Sequence, residues 1–118
     1  ASRATIVNIG SVSGLMPMAG TSGYSASKAA VHMFTKTLAL ELGPNIRANT
    51  ICPGTIRTEM TRYLWENPEH LARASARAAL KRIGDPEEVA RAALFLSCDD
   101  SAFTTGAELT VDGGFSFR

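Results

Sequence analysis

Tyr24 and Lys28, in the run Gly23-Tyr24-Ser25-Ala26-Ser27-Lys28, are the residues whose types and spacing best suit chemistry. On a helix, side chains four apart share one face, one turn from each other. A phenol ionises near pH ~10 and exchanges protons poorly at neutrality. An ammonium about 5 Å from a phenol, at an effective dielectric of about 20, favours the phenolate by roughly 3 kcal/mol. A tyrosine so placed can serve as a general acid or base. Ser11 lies thirteen residues before Tyr24, just after an apolar run, and offers a hydroxyl to a substrate oxygen. Any Tyr-x-x-x-Lys taken alone is more often a surface tyrosine beside a solvated lysine, so the surrounding residues must decide.

Bringing these groups together requires elements that end at one place. Ala4-Thr5-Ile6-Val7-Asn8-Ile9 is almost continuously apolar and β-branched, the pattern of a strand buried on both faces. A Gly-, Ser- and Thr-rich loop follows over 10–23. A helix is expected over 25–42, where Ala30, Phe34, Leu38 and Leu42 recur every four residues before Gly43-Pro44 stops it. A short strand is expected over 46–51, ended by Pro53-Gly54. Asn67-Pro68 caps and starts a helix reaching about residue 81. Asp85-Pro86-Glu87-Glu88 is a stronger start signal, with a capping Asp, Pro at the first position and Glu three after the cap. Val89, Ala92, Ala93 and Leu96 then form an apolar face, and a last strand covers 108–112. This alternation argues for α/β with a parallel sheet. Ligands of such sheets sit beyond the carboxyl ends of the strands. Ser11, Pro53-Gly54 and the start of the Tyr24 helix therefore belong on one rim.

The 118 residues suit one domain, and 45% hydrophobic with 19% charged is an ordinary globular composition. A formal net charge of +1 gives no electrostatic case for nucleic acid. Arg73, Arg77 and Lys81, four apart, are read as a solvated basic face. No apolar run approaches the roughly 18 residues of a membrane span, so no membrane partner is expected. Cys52 and Cys98 lack metal-ligand spacing and are read as two free thiols in a reducing cytoplasm. His32 and His70 are too isolated to suggest a metal and are read as surface or packing residues; no metal is expected. The first residue is Ala rather than Met and no signal peptide opens the chain, which suggests that upstream sequence is missing.

In order and spacing, five segments resemble the second half of a short-chain dehydrogenase/reductase. Val7-Asn8-Ile9-Gly10-Ser11-Val12-Ser13-Gly14 resembles the strand and loop carrying the family's serine, and Tyr24-Ser25-Ala26-Ser27-Lys28-Ala29-Ala30-Val31 its Tyr-x-x-x-Lys helix. Asn49 to Thr58 resembles the segment that meets the nicotinamide, while Arg82 to Ala90 and Thr105 to Gly114 resemble the last helix and last strand. The resemblance implies a partial Rossmann-like, doubly wound parallel sheet, of which the last three strands are present. It implies NAD or NADP as cofactor and a small-molecule alcohol/ketone pair as substrate. Tyr24 would then transfer the proton at the substrate oxygen, Lys28 would assist it and bind the nicotinamide ribose, and Ser11 would polarise the oxygen. Pro53 and Gly54, with the Ile56 backbone and the Thr58 hydroxyl, would hold the carboxamide; Thr58 could equally cap the next short helix. By family habit the complete protein would be a homo-oligomer.

Residues 1–118 thus read as the C-terminal half of a single domain whose dinucleotide-phosphate-binding half is absent. No glycine-rich phosphate loop occurs in the chain: Gly20-Thr21-Ser22-Gly23 has the wrong spacing, and Gly113-Gly114 follows the last strand. The helix that carries a catalytic-site asparagine in many members is also missing, and Asn8 and Asn49 lie in strands. The first strand would then expose an unpaired edge, and the isolated chain would be inactive. Met60, Tyr63, Leu64 and Trp65 fit either an apolar lid over the substrate or the buried side of one short helix. Two rival readings stay open. One is a non-catalytic remnant or interaction module that keeps the association surfaces. The other is an acyl-enzyme built on Ser25-Ala26-Ser27-Lys28, although Lys36-Thr37-Leu38 lacks the glycine of the accompanying Lys-Thr-Gly element.

Overall fold

The computed structural model describes residues 3–117 and contains one three-stranded parallel sheet in the order β1-β2-β3. The strands are β1 (Ala4–Ile9), β2 (Ile46–Pro53) and β3 (Glu108–Val111). Ala4 pairs with Ile46 and Ile9 with Ile51; Thr50 pairs with Glu108 and Pro53 with Val111. Parallel neighbours need crossovers, and helices supply them. α1 (Ser22–Leu42) joins β1 to β2. Between β2 and β3 lie α2 (Arg62–Trp65), α3 (Pro68–Arg77) and α4 (Pro86–Ser97). All three strands therefore end on the same rim.

β2 is the centre of the core, with Ala48, Ile51 and Cys52 fully buried. Two polar side chains of this strand tie it to the approach of β3. Asn49 Nδ2 donates to Thr104 O at 3.0 Å and its Oδ1 accepts from Ala107 N at 2.9 Å. The buried Arg47 guanidinium donates to Thr104 O at 2.9 Å, Cys98 O at 3.2 Å and Leu96 O at 3.3 Å. A buried cation is tolerable when carbonyls surround it, and the last carbonyls of α4 carry the negative end of that helix. Asn49 is thus a structural residue, as its place in the strand predicts.

β1 departs from the buried-on-both-faces expectation. Residues 5–8 are half-buried and Ile9 is exposed, because β1 pairs with β2 on one side only among the described residues. α1 starts three residues earlier than its sequence pattern suggests, and its inward face is not the Ala30-Phe34 stripe. His32, Thr35 and Ala39 are buried there, at i, i+3 and i+7, whereas Phe34 and Ala30 are exposed. The polar residues win because the sheet answers them: Asn8 Nδ2 donates to Thr35 Oγ1 at 2.9 Å, and Ser11 N donates to His32.

α3 ends at Arg77 rather than near residue 81. Ala78 is extended and buried, Leu80 N donates to Gly113 O at 3.0 Å, and Lys81 has φ of 59°. A pairing with the segment after β3 therefore replaces the last helical turn. It also takes Lys81 off the helix, which breaks the four-residue basic stripe. α4 begins at Pro86, with Glu88 Oε1 accepting from Asp85 N at 3.0 Å, and its Val89, Ala92, Ala93 and Leu96 face is half-buried to buried. Here sequence and structure agree.

Candidate active site

Gly10 N donates to Ile51 O at 2.7 Å, so the chain follows β2 for one residue beyond β1 before it turns. Ser11 caps the single 3-10 turn Val12–Gly14, its Oγ accepting from Ser13 N at 3.1 Å and Ser13 Oγ at 2.9 Å. A hydroxyl has two lone pairs and one proton. With both lone pairs engaged, the Ser11 O–H is left to donate outward. Ser13 therefore sets the polarity of the hydroxyl that the sequence singled out.

Tyr24 and Lys28 occupy the first turns of α1, as their spacing predicts. Lys28 Nζ donates to Ile9 O at 3.2 Å and stands 5.7 Å from the centroid of the Tyr24 ring. An ammonium has three donors, so at least two remain for other acceptors. The Ser-x-x-Lys alternative finds no support in these contacts. Ser25 Oγ is 2.7 Å from Thr21 Oγ1, and the Lys28 amine is turned toward the end of β1.

A groove of about 350 Å³ runs along this rim, and Ser11, Tyr24, Lys28, Pro53, Gly54, Ile56 and Thr58 all line it. Met60, Thr61, Pro86 and Val89 complete its wall; the last three drew no functional attention in the sequence. Thr58 also caps the turn Glu59–Thr61, its N donating to Thr61 Oγ1 at 3.0 Å. The apolar quartet divides. Met60 lies on the groove and is exposed, whereas Tyr63 and Leu64 border a separate hollow of about 270 Å³ with Thr55, His70, Arg73 and Arg77. Trp65 packs under two guanidinium groups, Arg57 at 5.1 Å and Arg62 at 5.9 Å, and its Nε1 donates to Thr58 O at 2.9 Å. No α2 residue is buried, so these four are not one buried helix face. A hollow of about 430 Å³ between Leu80 and Phe117 contains none of the Ser, Tyr and Lys groups, and its Arg82 and Glu88 are paired with each other at 2.7 Å.

His32 was invisible as a site neighbour in the sequence. It is buried, its Nε2 accepts from Ser11 N at 3.1 Å, and burial pushes its pKa below the ordinary 6.5 against the pull of Glu108. His32, Cys52 and Glu108 bring one ligand-type atom each within 4.8 Å of one another. The arrangement suits a metal poorly. Nε2 is committed to the Ser11 amide, and burial raises the Cys52 thiol to about 11, away from the thiolate a metal takes. Cys52 and Cys98 are both free thiols.

Against known proteins, the family profile described as enoyl-(acyl carrier protein) reductase matches residues 1–116. The chain belongs to the short-chain dehydrogenase/reductase family. The cyclopentanol dehydrogenase of a Comamonas strain is 42% identical over 117 residues, covering 98% of this chain and 47% of that protein. A 4-hydroxyisoleucine dehydrogenase complexed with NADH superposes with a TM-score of 0.94 at 38% identity, covering 98% of this chain and 48% of the other. A gluconate 5-dehydrogenase from Burkholderia cenocepacia, in complex with NADP and tartrate, gives 0.90 at 33% identity, covering 97% and 45%. The chain spans about half the length of these relatives. Structures with either nicotinamide dinucleotide are thus among its neighbours, and among the described residues no helix is long and apolar enough to cross a membrane.

Proposed function

We propose that the protein carrying this chain interconverts a secondary alcohol and a ketone with NAD or NADP, and that residues 1–118 are the C-terminal, catalytic half of its domain. The observation that carries the reading is the single groove shared by Ser11, Tyr24 and Lys28 with Pro53, Gly54, Ile56 and Thr58. The donor set suits a nicotinamide nucleoside: Lys28 has donors to spare for ribose hydroxyls, and Thr58 with the Ile56 backbone offers polar partners to a carboxamide. The dinucleotide, when bound, accepts or supplies the hydride.

Within that groove Tyr24 holds the proton that moves at the substrate oxygen. Its phenol is half-exposed on the rim, and the Lys28 ammonium stands 5.7 Å from the centroid of its ring. Ser11, with its lone pairs engaged by Ser13, donates to the same oxygen and stabilises negative charge there. Met60, with Ile9 and Val89, gives the groove an apolar wall. The substrate is accordingly a small molecule with an apolar flank. Neither nucleic acid nor a membrane enters the reading. The complete protein is a homo-oligomer of the cytoplasm, where Cys52 and Cys98 stay reduced.

The test uses the full-length protein and a panel of alicyclic secondary alcohols, followed by nicotinamide absorbance. Tyr24→Phe should lower kcat by at least about two orders of magnitude, the scale of losing a positioned acid or base. Near-normal turnover by that variant would remove Tyr24 from the chemistry.

A further inference from the structure

We propose that His32 is a positioning residue for Ser11, the internal acceptor on which the serine loop is hung. The inference rests on the oxidoreductase reading for its catalytic consequence, and on geometry alone for the contact itself. The Ser11 backbone N–H is buried and donates to His32 Nε2 at 3.1 Å. A buried amide without an acceptor is costly, so this bond constrains where the loop can sit.

The loop is shaped around the ring. A Cβ on Gly10 would lie 2.0 Å from His32 Nε2, and one on Gly14 would lie 2.7 Å from Cε1. The imidazole is clasped between the glycines at the two ends of the segment that carries Ser11. Tyr24, Lys28 and His32 stand at i, i+4 and i+8 on α1, so they share one helix face. One rigid helix therefore supplies Tyr24, Lys28 and the support for Ser11, and all three groups of the site are referred to a single body. Ordering of this kind matters because a displacement of about 1 Å in a catalytic group can cost on the order of 10²-fold in rate.

The arrangement works only with neutral imidazole, since a protonated ring has two donors and no acceptor. The groups facing it divide. From β3, Glu108 Oε2 lies 4.0 Å from Nδ1 and favours protonation, but Glu108 is also paired with Lys36 of α1. Lys36 and Lys28 oppose protonation, as does burial, and from β2 the un-ionised Cys52 thiol sits 3.6 Å from Nε2. In the tautomer whose Nε2 accepts, Nδ1 carries the proton; it makes no hydrogen bond and faces Glu108 Oε2 at 4.0 Å. The balance favours the neutral ring and lowers its pKa from 6.5. Acid should then release Ser11 without touching Tyr24 or Lys28 directly.

The experiment uses the full-length protein labelled with 15N-histidine and uniform 15N. The expected result is a His32 ring in the Nδ1–H tautomer with a through-hydrogen-bond coupling between Ser11 N and Nε2. An Nε2–H tautomer, or no coupling to Ser11, overturns the proposal. In kinetics, His32→Leu should lower kcat about 10- to 100-fold. The unsubstituted protein should lose kcat toward acid as His32 takes a proton; His32→Gln, whose amide oxygen can reach the Nε2 position, should recover most of the loss seen in the Leu variant and abolish that acid limb. A Gln variant as slow as the Leu variant, or one with the same acid limb, overturns it. If no alcohol or ketone is turned over at all, the oxidoreductase reading falls, while tautomer and coupling still decide whether His32 holds the loop.

Discussion

A single missing methyl group defines the serine loop. The Cβ absent from Gly10 would lie 2.0 Å from His32 Nε2 and 2.8 Å from Thr50 Cγ2, a side chain in the fully packed central strand. Neither neighbour is the free end of a flexible chain. Gly10→Ala must drive the imidazole away from the Ser11 amide or distort β2, and overpacking of this kind costs about 1–3 kcal/mol. The loss should shrink in a His32→Ala background, where the ring no longer fills the space, so the two substitutions should couple in a double-mutant cycle of urea unfolding. Simple additivity would mean that Gly10 is constrained by something other than His32. The contrast with Ser11, Tyr24 and Lys28 explains what could be read in advance. Those three announce themselves by type and spacing, and by resemblance to known family segments. His32 does not, because its partner is a backbone N–H 21 residues away, and no pattern of side-chain types records that. The part Ser13 plays at the site is hidden from spacing for a similar reason, since its work is to occupy the lone pairs of its neighbour.

Element ends were legible where side chains dictate them and illegible where distant backbone does. The start of α4 follows from Asp85, Pro86 and Glu88. The end of α3 follows instead from the Leu80 bond to Gly113, which pairs segments far apart in the chain. The inward face of α1 was misjudged because apolar spacing was the guide, whereas hydrogen-bond partners on β1 and its loop select Thr35 and His32. The α4 start carries a pH-dependent prediction. Arg82 holds Glu88 in a two-pronged pair at 2.7 and 2.8 Å, and that bond, followed by the Asp85 N–H, lowers its carboxyl from 4.5 to about 2. A carboxyl with a depressed folded pKa contributes stability that is fully present above its unfolded value and is lost as pH falls through the folded one. The relevant window therefore opens at 4.5 and runs down to about 2. Glu88→Gln should flatten the fall of melting temperature with pH inside that window and lower stability above it. Parallel acid limbs for the two proteins would show that the pair contributes nothing to folding.

At the scale of the molecule, the order β1-β2-β3 leaves β1 with one described strand partner and the half-buried Ile6 and Val7 in an edge strand. Among the described residues thirteen large apolar side chains are exposed, including Ile9 at the end of that edge strand. The parallel sheet and its common rim were legible from the alternation of strand and helix patterns. The half-domain reading makes a direct prediction: the 118-residue chain alone should not bind NAD or NADP with useful affinity. It keeps candidate contacts to the nicotinamide and its ribose at Lys28, Ile56 and Thr58. On that reading it lacks the glycine-rich turn that would bring backbone amides and a helix N-terminus to a pyrophosphate, together with the adenosine contacts. A good polar contact is worth on the order of 1–3 kcal/mol, and a tenfold change in affinity needs only about 1.4. Loss of several such contacts should move a micromolar site beyond millimolar. Isothermal titration of the purified chain with each cofactor, alongside sedimentation to establish its state of association, makes the measurement. Micromolar binding by a monodisperse monomer would locate a complete cofactor site within these 118 residues and overturn the half-domain reading.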